Sequence, residues 1–358
     1  MDGGSEHEVL RGLSPSAALQ VPKVAALGCG HWGRNIVRNL SQLGALSAVS
    51  DAAPAVAGQF SVQYDVPARH LRDLLDDEDI EAVAIATPAA LHADHARRAL
   101  EAGKHVFVEK PLAMTFSEGR FLTDMARERD RVLMVGHVLR YHPVVRKLLQ
   151  EVRAGRLGTI RHIYSRRLGL GKFRTEEDVL WSFAPHDVSI ILALFGRLPR
   201  LVSAHGRAIL NSHIADIARV HLDFSDGVTA DLAVSWLNPV KEHKLVLIGS
   251  RAQAIFDDTA KWSEKLQIFD HGIDMSSGAV RVVKAEPVLV HVEEQEPLRE
   301  ECVHFLSCVA ASKTPRTDGI EGLRVLSVLE AAAHSMALGG ESVQTQISGA
   351  SLLNASVN

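Results

Sequence analysis

Short apolar runs alternate with amphipathic stretches over the first 140 residues. Val24–Leu27, Leu46–Ser50, Ala82–Thr87, His105–Val108 and Val132–Val135 are four to six residues long. That is the length of parallel strands buried on both faces. The segments between them read as helices. In Arg34–Leu43 the apolar residues Ile36, Val37, Leu40 and Leu43 fall on one helical face. Further helices are expected over 53–60, 71–75, 91–101 and 116–129, the third closed by Gly103. This alternation predicts an α/β, doubly wound parallel sheet over residues 21–140, with its ligand at the carboxyl ends of the strands.

Beyond residue 140 the period changes. Helices are expected over 144–152, 185–195, 298–311 and 319–338. Strands are expected over 159–168, 201–210, 217–224, 228–236, 244–248 and 252–256, several separated by turn signals such as Ser225-Asp-Gly227. Runs of strands without intervening helices predict a second, α+β domain over 141–358 with a large, mostly antiparallel open sheet. In 228–236 the residues Val228, Ala230, Leu232, Val234 and Trp236 form an apolar face that should meet helices. The opposite face, with Asp231 and Ala233, suits solvent or a partner subunit.

Composition narrows the function classes. The chain has 358 residues, 46% hydrophobic and 23% charged, with a formal net charge of −4. This is ordinary globular composition and argues against a nucleic-acid binder. No apolar run approaches the ~18–20 residues that would span a bilayer. Residues 1–20 lack an apolar core segment and read as a flexible extension rather than a secretory signal. The three cysteines, Cys29, Cys302 and Cys308, form no C-x-x-C pair and no zinc spacing. No metal is expected, and a reducing cytoplasm fits best.

Candidate chemistry begins at the first strand. Gly28-Cys-Gly-His-Trp-Gly33 spells G-x-G-x-x-G between a strand and a helix, the context that gives this pattern its meaning. Gly28 permits the tight turn, Gly30 lets a pyrophosphate approach the backbone, and Gly33 lets the helix pack closely. The helix N-terminus then offers N–H groups and its dipole to the phosphates. Asp51 ends the second strand, where an acid can hold the ribose diol, so NAD is the expected cofactor. Two more segments end strands: Thr87-Pro88 and Glu109-Lys110-Pro111. Lys110 can bond a substrate hydroxyl, and partial burial would lower its pKa toward proton transfer. His186 can accept the proton of an alcohol. Each also has a plain structural reading, a solvated lysine and a capping or core histidine. Tyr141 falls at the junction of the two domains, where it could contact substrate or simply pack. Arg166, Arg167, Lys172 and Arg174 could hold a diphosphate or carboxylate, or form a solvated basic loop.

Four segments together resemble the Gfo/Idh/MocA family: Gly28–Gly33, Thr87–His92, Ala102-Gly-Lys-His-Val-Phe-Val-Glu-Lys-Pro111, and Trp181-Ser-Phe-Ala-Pro-His-Asp187. The third is the most specific. The resemblance spans residues 22–340. It implies a nicotinamide-dependent dehydrogenase of a sugar or cyclitol hydroxyl, with the cofactor on the first domain and substrate against the second. Cofactor contacts would come from Gly28, Cys29, Gly30, His31, Trp32, Gly33, Asp51, Thr87, Pro88, His92, Glu109 and Lys110. Substrate would meet Lys110, Tyr141, Arg167, Ser182 and His186, with Lys110 and His186 catalytic. Many family members carry aspartate four residues before the histidine. Ser182 stands there in this chain, which shifts weight onto Lys110. The segment Glu177–Asp187 resembles a subgroup that oxidises C3 of UDP-N-acetylglucosamine or its uronic acid. A homodimer or homotetramer is implied. A keto-sugar reductase, a free-sugar or inositol dehydrogenase and a non-catalytic NAD-binding sensor are the rival readings.

Overall fold

The computed structural model describes residues 21–171, 173–174, 177–274 and 281–346. The extension 1–20 and Lys172 lie outside the described residues.

The first layer system follows the expected alternation. In chain order it comprises β1 (Val24–Leu27), α1 (Gly33–Gln42), β2 (Leu46–Ser50), α2 (Pro54–Tyr64), α3 (Leu71–Leu75), β3 (Ala82–Ile85), α4 (His92–Glu101), β4 (His105–Glu109), α5 (Phe116–Glu128) and β5 (Leu133–Gly136). The strands pair in parallel in the order 2-1-3-4-5. Every residue of β1, β3 and β5 is buried, as the apolar runs require of a sheet covered on both faces. Thr115 and Glu118 form a reciprocal capping box that fixes the start of α5.

After α6 (Pro143–Arg153), β6 (Ile160–Leu170) and α7 (Val179–Phe195), the chain lays down β7 (Leu201–Arg207), β8 (Ile217–Asp223), β9 (Thr229–Ser235), β10 (Leu237–Gly249), β11 (Gln253–Asp257) and β12 (Leu266–Phe269). Shorter pieces follow: β13 (Gly272–Asp274), β14 (Arg281–Val283) and β15 (Val288–Leu289), then α8 (Pro297–Ala311), α9 (Gly319–Ala337) and β16 (Val343–Gln344). The large sheet has nine strands in the order 15-12-11-10-6-9-8-7-16. Its pairs are antiparallel except β6 with β9. Ala230, Leu232, Val234 and Trp236 are buried against α7 and its neighbours, whereas Thr229, Asp231 and Ala233 are only half-buried on the opposite face.

Three expectations change. The helix expected at 185–195 begins at Val179, so His186 lies inside it rather than at its start. A proline is at home in the first turn of a helix, but here Asp178 caps the helix by accepting from the Trp181 N–H, and Val179 and Leu180 are fully buried. Pro185 therefore lies within α7. Strand β10 begins at Leu237 rather than Lys244, with a register shift between Leu237 and Glu242. The strand expected to Leu210 ends at Arg207, where the Ile209 and Leu210 N–H groups turn to the Asp216 carboxylate. Among the described residues no helix is long and apolar enough to cross a membrane.

Candidate active site

The glycine loop leaves β1 as its sequence requires. Gly28 has φ +91°, a region that side chains rarely adopt, and a Cβ there would lie 2.8 Å from the Ala86 carbonyl. At Gly33 a Cβ would stand 1.9 Å from the Gly28 oxygen. Nothing lies within 4 Å of a Cβ built on Gly30. The loop is thus tight against the sheet on one side and open on the other, which fits a pyrophosphate over the start of α1.

Asp51 closes the far side. Its Oδ2 accepts from the Cys29 N–H at 2.8 Å and its Oδ1 from the Ala53 N–H at 2.9 Å. Each oxygen keeps a lone pair for a diol. The Cys29 thiol is buried, which, with Asp51 nearby, pushes its pKa up to about 12. It is packing, not a nucleophile. His31 is exposed, and its carbonyl accepts from Arg34 Nε at 3.0 Å. The Trp32 indole N–H donates to Glu109 Oε1, joining the glycine loop to the end of β4. Burial pushes the Glu109 carboxyl up to about 7, against the pull of Trp32 and Lys110.

His92 is buried, with Nδ1 2.7 Å from the Pro111 carbonyl and Nε2 2.8 Å from the Thr87 carbonyl. Both ring nitrogens are occupied, so it clamps the loop after β3 and Pro88 to the segment after Lys110. Burial lowers its pKa, opposed by those two carbonyls.

Lys110 is half-buried at the end of β4 and donates from Nζ to the Ser182 main-chain carbonyl at 2.8 Å. Removal from water lowers its pKa, while Glu177 and Glu109 act to raise it. Ser182 and His186 are one turn apart on the same face of α7. Burial, then Lys110 and Arg167, hold the His186 ring well below the ordinary histidine value, so it is neutral at neutral pH. Its Nδ1 is buried with no hydrogen-bond partner. Lysine, serine and histidine therefore meet where the first sheet faces α7.

The other expected cations divide. Arg167 is buried and gives Asp187 a two-pronged bond, Nε to Oδ2 at 2.7 Å and Nη2 to Oδ1 at 3.1 Å. His243 Nδ1 lies 3.3 Å from its Nη1. Arg166, the next residue on the strand, points to the opposite face, where it pairs with Glu242 at 3.4 Å. Arg174 pairs with Glu177 at 3.6 Å.

Tyr141 is a correction. It is fully buried, its hydroxyl 2.9 Å from Thr317 Oγ1 and its ring beneath the Arg316 guanidinium. Burial raises its pKa. With hydroxyl and ring both engaged in the core, it packs and does not reach substrate.

The structure adds Glu177, which acts on Lys110, and Glu301. Glu301 is wholly buried with neither carboxylate oxygen bonded. Burial, then Glu109 and Glu321, hold its carboxyl well above the ordinary range. Its signal was present in the sequence: an acid placed three after Leu298 and four before Phe305, on the apolar face of a helix. Among the described residues no His, Cys, Asp or Glu group could hold a metal.

Comparison with known proteins bears on this geometry. Residues 23–137 match the family model for the Gfo/Idh/MocA oxidoreductase family, NAD-binding Rossmann fold, and residues 145–255 match a Gfo/Idh/MocA C-terminal domain. UDP-N-acetylglucosamine 3-dehydrogenase of Acidithiobacillus ferrooxidans is 29% identical over 85% of this chain and 94% of its own. A solved structure of that enzyme superposes with a TM-score of 0.77 at 28% identity, covering 87% of this chain and 96% of its own. The NAD(+)-linked scyllo-inositol 2-dehydrogenase of Bacillus subtilis is 26% identical over 87% of this chain and 93% of its own.

Proposed function

Since the chain belongs to the Gfo/Idh/MocA family of NAD-binding oxidoreductases, we propose that it moves hydride between nicotinamide and C3 of a UDP-linked N-acetylated amino sugar or its uronic acid. The carrying observation is the meeting of Lys110, Ser182 and His186 beside the glycine loop. The likeness to UDP-N-acetylglucosamine 3-dehydrogenase along nearly its whole length supports the sugar.

NAD, when bound, supplies the hydride acceptor. Gly28, Gly30 and Gly33 leave room for its pyrophosphate, and Asp51 offers its carboxylate to the ribose diol. Ala52 and Ala53 supply no cation for a 2′-phosphate, which favours NAD over NADP. An alcohol releases hydride only as its proton is taken. Lys110 holds one N–H to Ser182 and, once neutral, turns its lone pair to the substrate hydroxyl. His186, neutral in this setting, bonds the same hydroxyl and steadies it. The Ser182 side chain carries no carboxylate to charge the histidine, so the lysine is the principal base. Retention of both groups disfavours a non-catalytic sensor, which needs only the glycine loop.

The inositol dehydrogenase among the relatives supports a second reading, a cyclitol or free-sugar substrate. The test is nicotinamide absorbance with UDP-N-acetylglucosamine, its uronic acid, free sugars and inositols. Turnover with the UDP-sugars and none with the rest is expected; turnover confined to inositols overturns the substrate, and none with any overturns the activity.

A further inference from the structure

At the ends of β4 and β5 remote from Lys110, a groove of about 1390 Å³ runs between the two sheets. One wall is the end of α5 and the start of β5, with Arg127 and Arg131. The other is the ends of α6 and α7, with Arg153. The segment joining α8 to α9 makes the floor, with Ser312, Lys313 and Thr314.

We propose that this groove binds a small anion carrying two or more phosphates. Among the described residues its lining holds eight arginine and lysine side chains against three carboxylates, in a chain of formal net charge −4. Two of those carboxylates already have partners, Glu321 partly with the lining cation Arg140. Glu321 is shared by His137, Arg140 and Ser189, and Asp318 caps α9 by accepting from the Glu321 N–H. Arg127 and Arg146 lean on Asp124 and Glu300 just outside the lining. The cations still prevail when those two acids are counted.

Burial makes the excess costly. The Arg140 side chain is only 9% exposed, yet its Nε has no hydrogen-bond partner, and the buried Nε of Arg131 has none either. Arg140 has only a share of the Glu321 carboxylate, at 3.3 Å and divided with His137 and Ser189, and guanidinium groups taken out of water call for a full counter-charge. Their planar forks match phosphate oxygens, and the Ser312 and Thr314 hydroxyls add donors on the floor. Two cationic walls facing across one space suit two phosphates rather than one. A concave space of this size, in an acidic chain, suits a nucleotide-sized ligand better than a nucleic acid, which tracks extended basic stripes. The site also touches the catalytic helix: Arg140 donates to the Ser189 carbonyl at 3.2 Å, three residues beyond His186.

The test is calorimetric titration of sodium pyrophosphate into the full chain already saturated with NAD, because the glycine loop also takes pyrophosphate groups. Arg153→Glu with Lys313→Glu is the comparison; both residues are exposed, so the fold should survive. One-to-one binding is expected, weakened by about tenfold or more in the double variant and by added salt. NAD affinity is titrated separately in both proteins, so a failure of the cofactor reading shows as such. Absence of binding under NAD saturation overturns the proposal, as does equal affinity in the double variant. Tighter binding of a single-stranded RNA oligomer overturns the small-ligand assignment.

Discussion

Lys110 bonds the Ser182 carbonyl and His186 lies one turn beyond Ser182, yet their environments set them apart. Lys110 has its pKa lowered mainly by burial, with Glu177 and Glu109 opposing. A lowered amine pKa means the neutral, proton-accepting form gains ground as pH rises, below the ordinary lysine range. Oxidation should therefore speed up with pH along a lysine-controlled limb, and Lys110→Ala should flatten it. His186 is already neutral at pH 7, so it should add no acid limb there. Single-turnover hydride transfer at saturating NAD should fall ~10²–10⁴-fold in Lys110→Ala, and less in His186→Ala. A near wild-type rate in the lysine variant would leave His186 as the base. Asp51→Ala should weaken NAD, narrow the preference over NADP, and loosen the loop that Cys29 and Ala53 tie to the same carboxylate. Binding titrations with both dinucleotides decide this, and tighter NADP binding by the wild type would contradict it.

Among the elements, α7 and β6 are held together by Arg167 and Asp187, both buried. Removing one partner strands the other, at a cost of ~3–5 kcal/mol. Arg167→Met should lose that much in denaturant unfolding, and Arg167→Met with Asp187→Leu should regain most of it. Helix α8 carries the opposite problem in Glu301. Its folded pKa is raised above the 4.5 of an ordinary glutamate, so the folded state keeps its proton longer than the unfolded one. Stability should decline as pH climbs above that ordinary value toward the folded pKa. Glu301→Gln should remove the decline, so its melting temperature gains on the wild type between acid and neutral pH; parallel curves would refute the assignment. These two cases show what the residues disclose. The strands of the parallel sheet were legible because burial on both faces leaves a continuous apolar run. The loop was legible because its glycines answer to local sterics. Arg167 was legible as a cation and not as a partner of Asp187, because a contact between residues twenty apart depends on packing of β6 against α7. Tyr141 stayed open between substrate contact and packing for the same reason, and Pro185 misled because a local start signal yielded to Asp178 and the buried Val179 and Leu180. The two- to four-residue strands β12 to β16 are too short to show a period.

For the whole molecule, the described helices cover one face of the nine-stranded sheet. On the other, Ala233 sits between exposed polar neighbours such as Arg219 and Arg166. A second copy would bury this face, and a homodimer or homotetramer is the expected assembly. Ala233→Glu should then halve or quarter the mass seen by light scattering; a wild-type monomer at micromolar concentration would contradict it. The hydrogen bond from Lys110 to Ser182 has a further meaning at this scale. The amine rides on the five-stranded sheet and the carbonyl on a helix of the other layer. A swing that parted the layers would break this bond and return the amine to water, where lysine regains its full grip on its proton. What readies the base is the burial that the packed layers impose on it, and exposure to water would undo that readiness. Contact between the layers and the proton affinity of this amine are linked through burial.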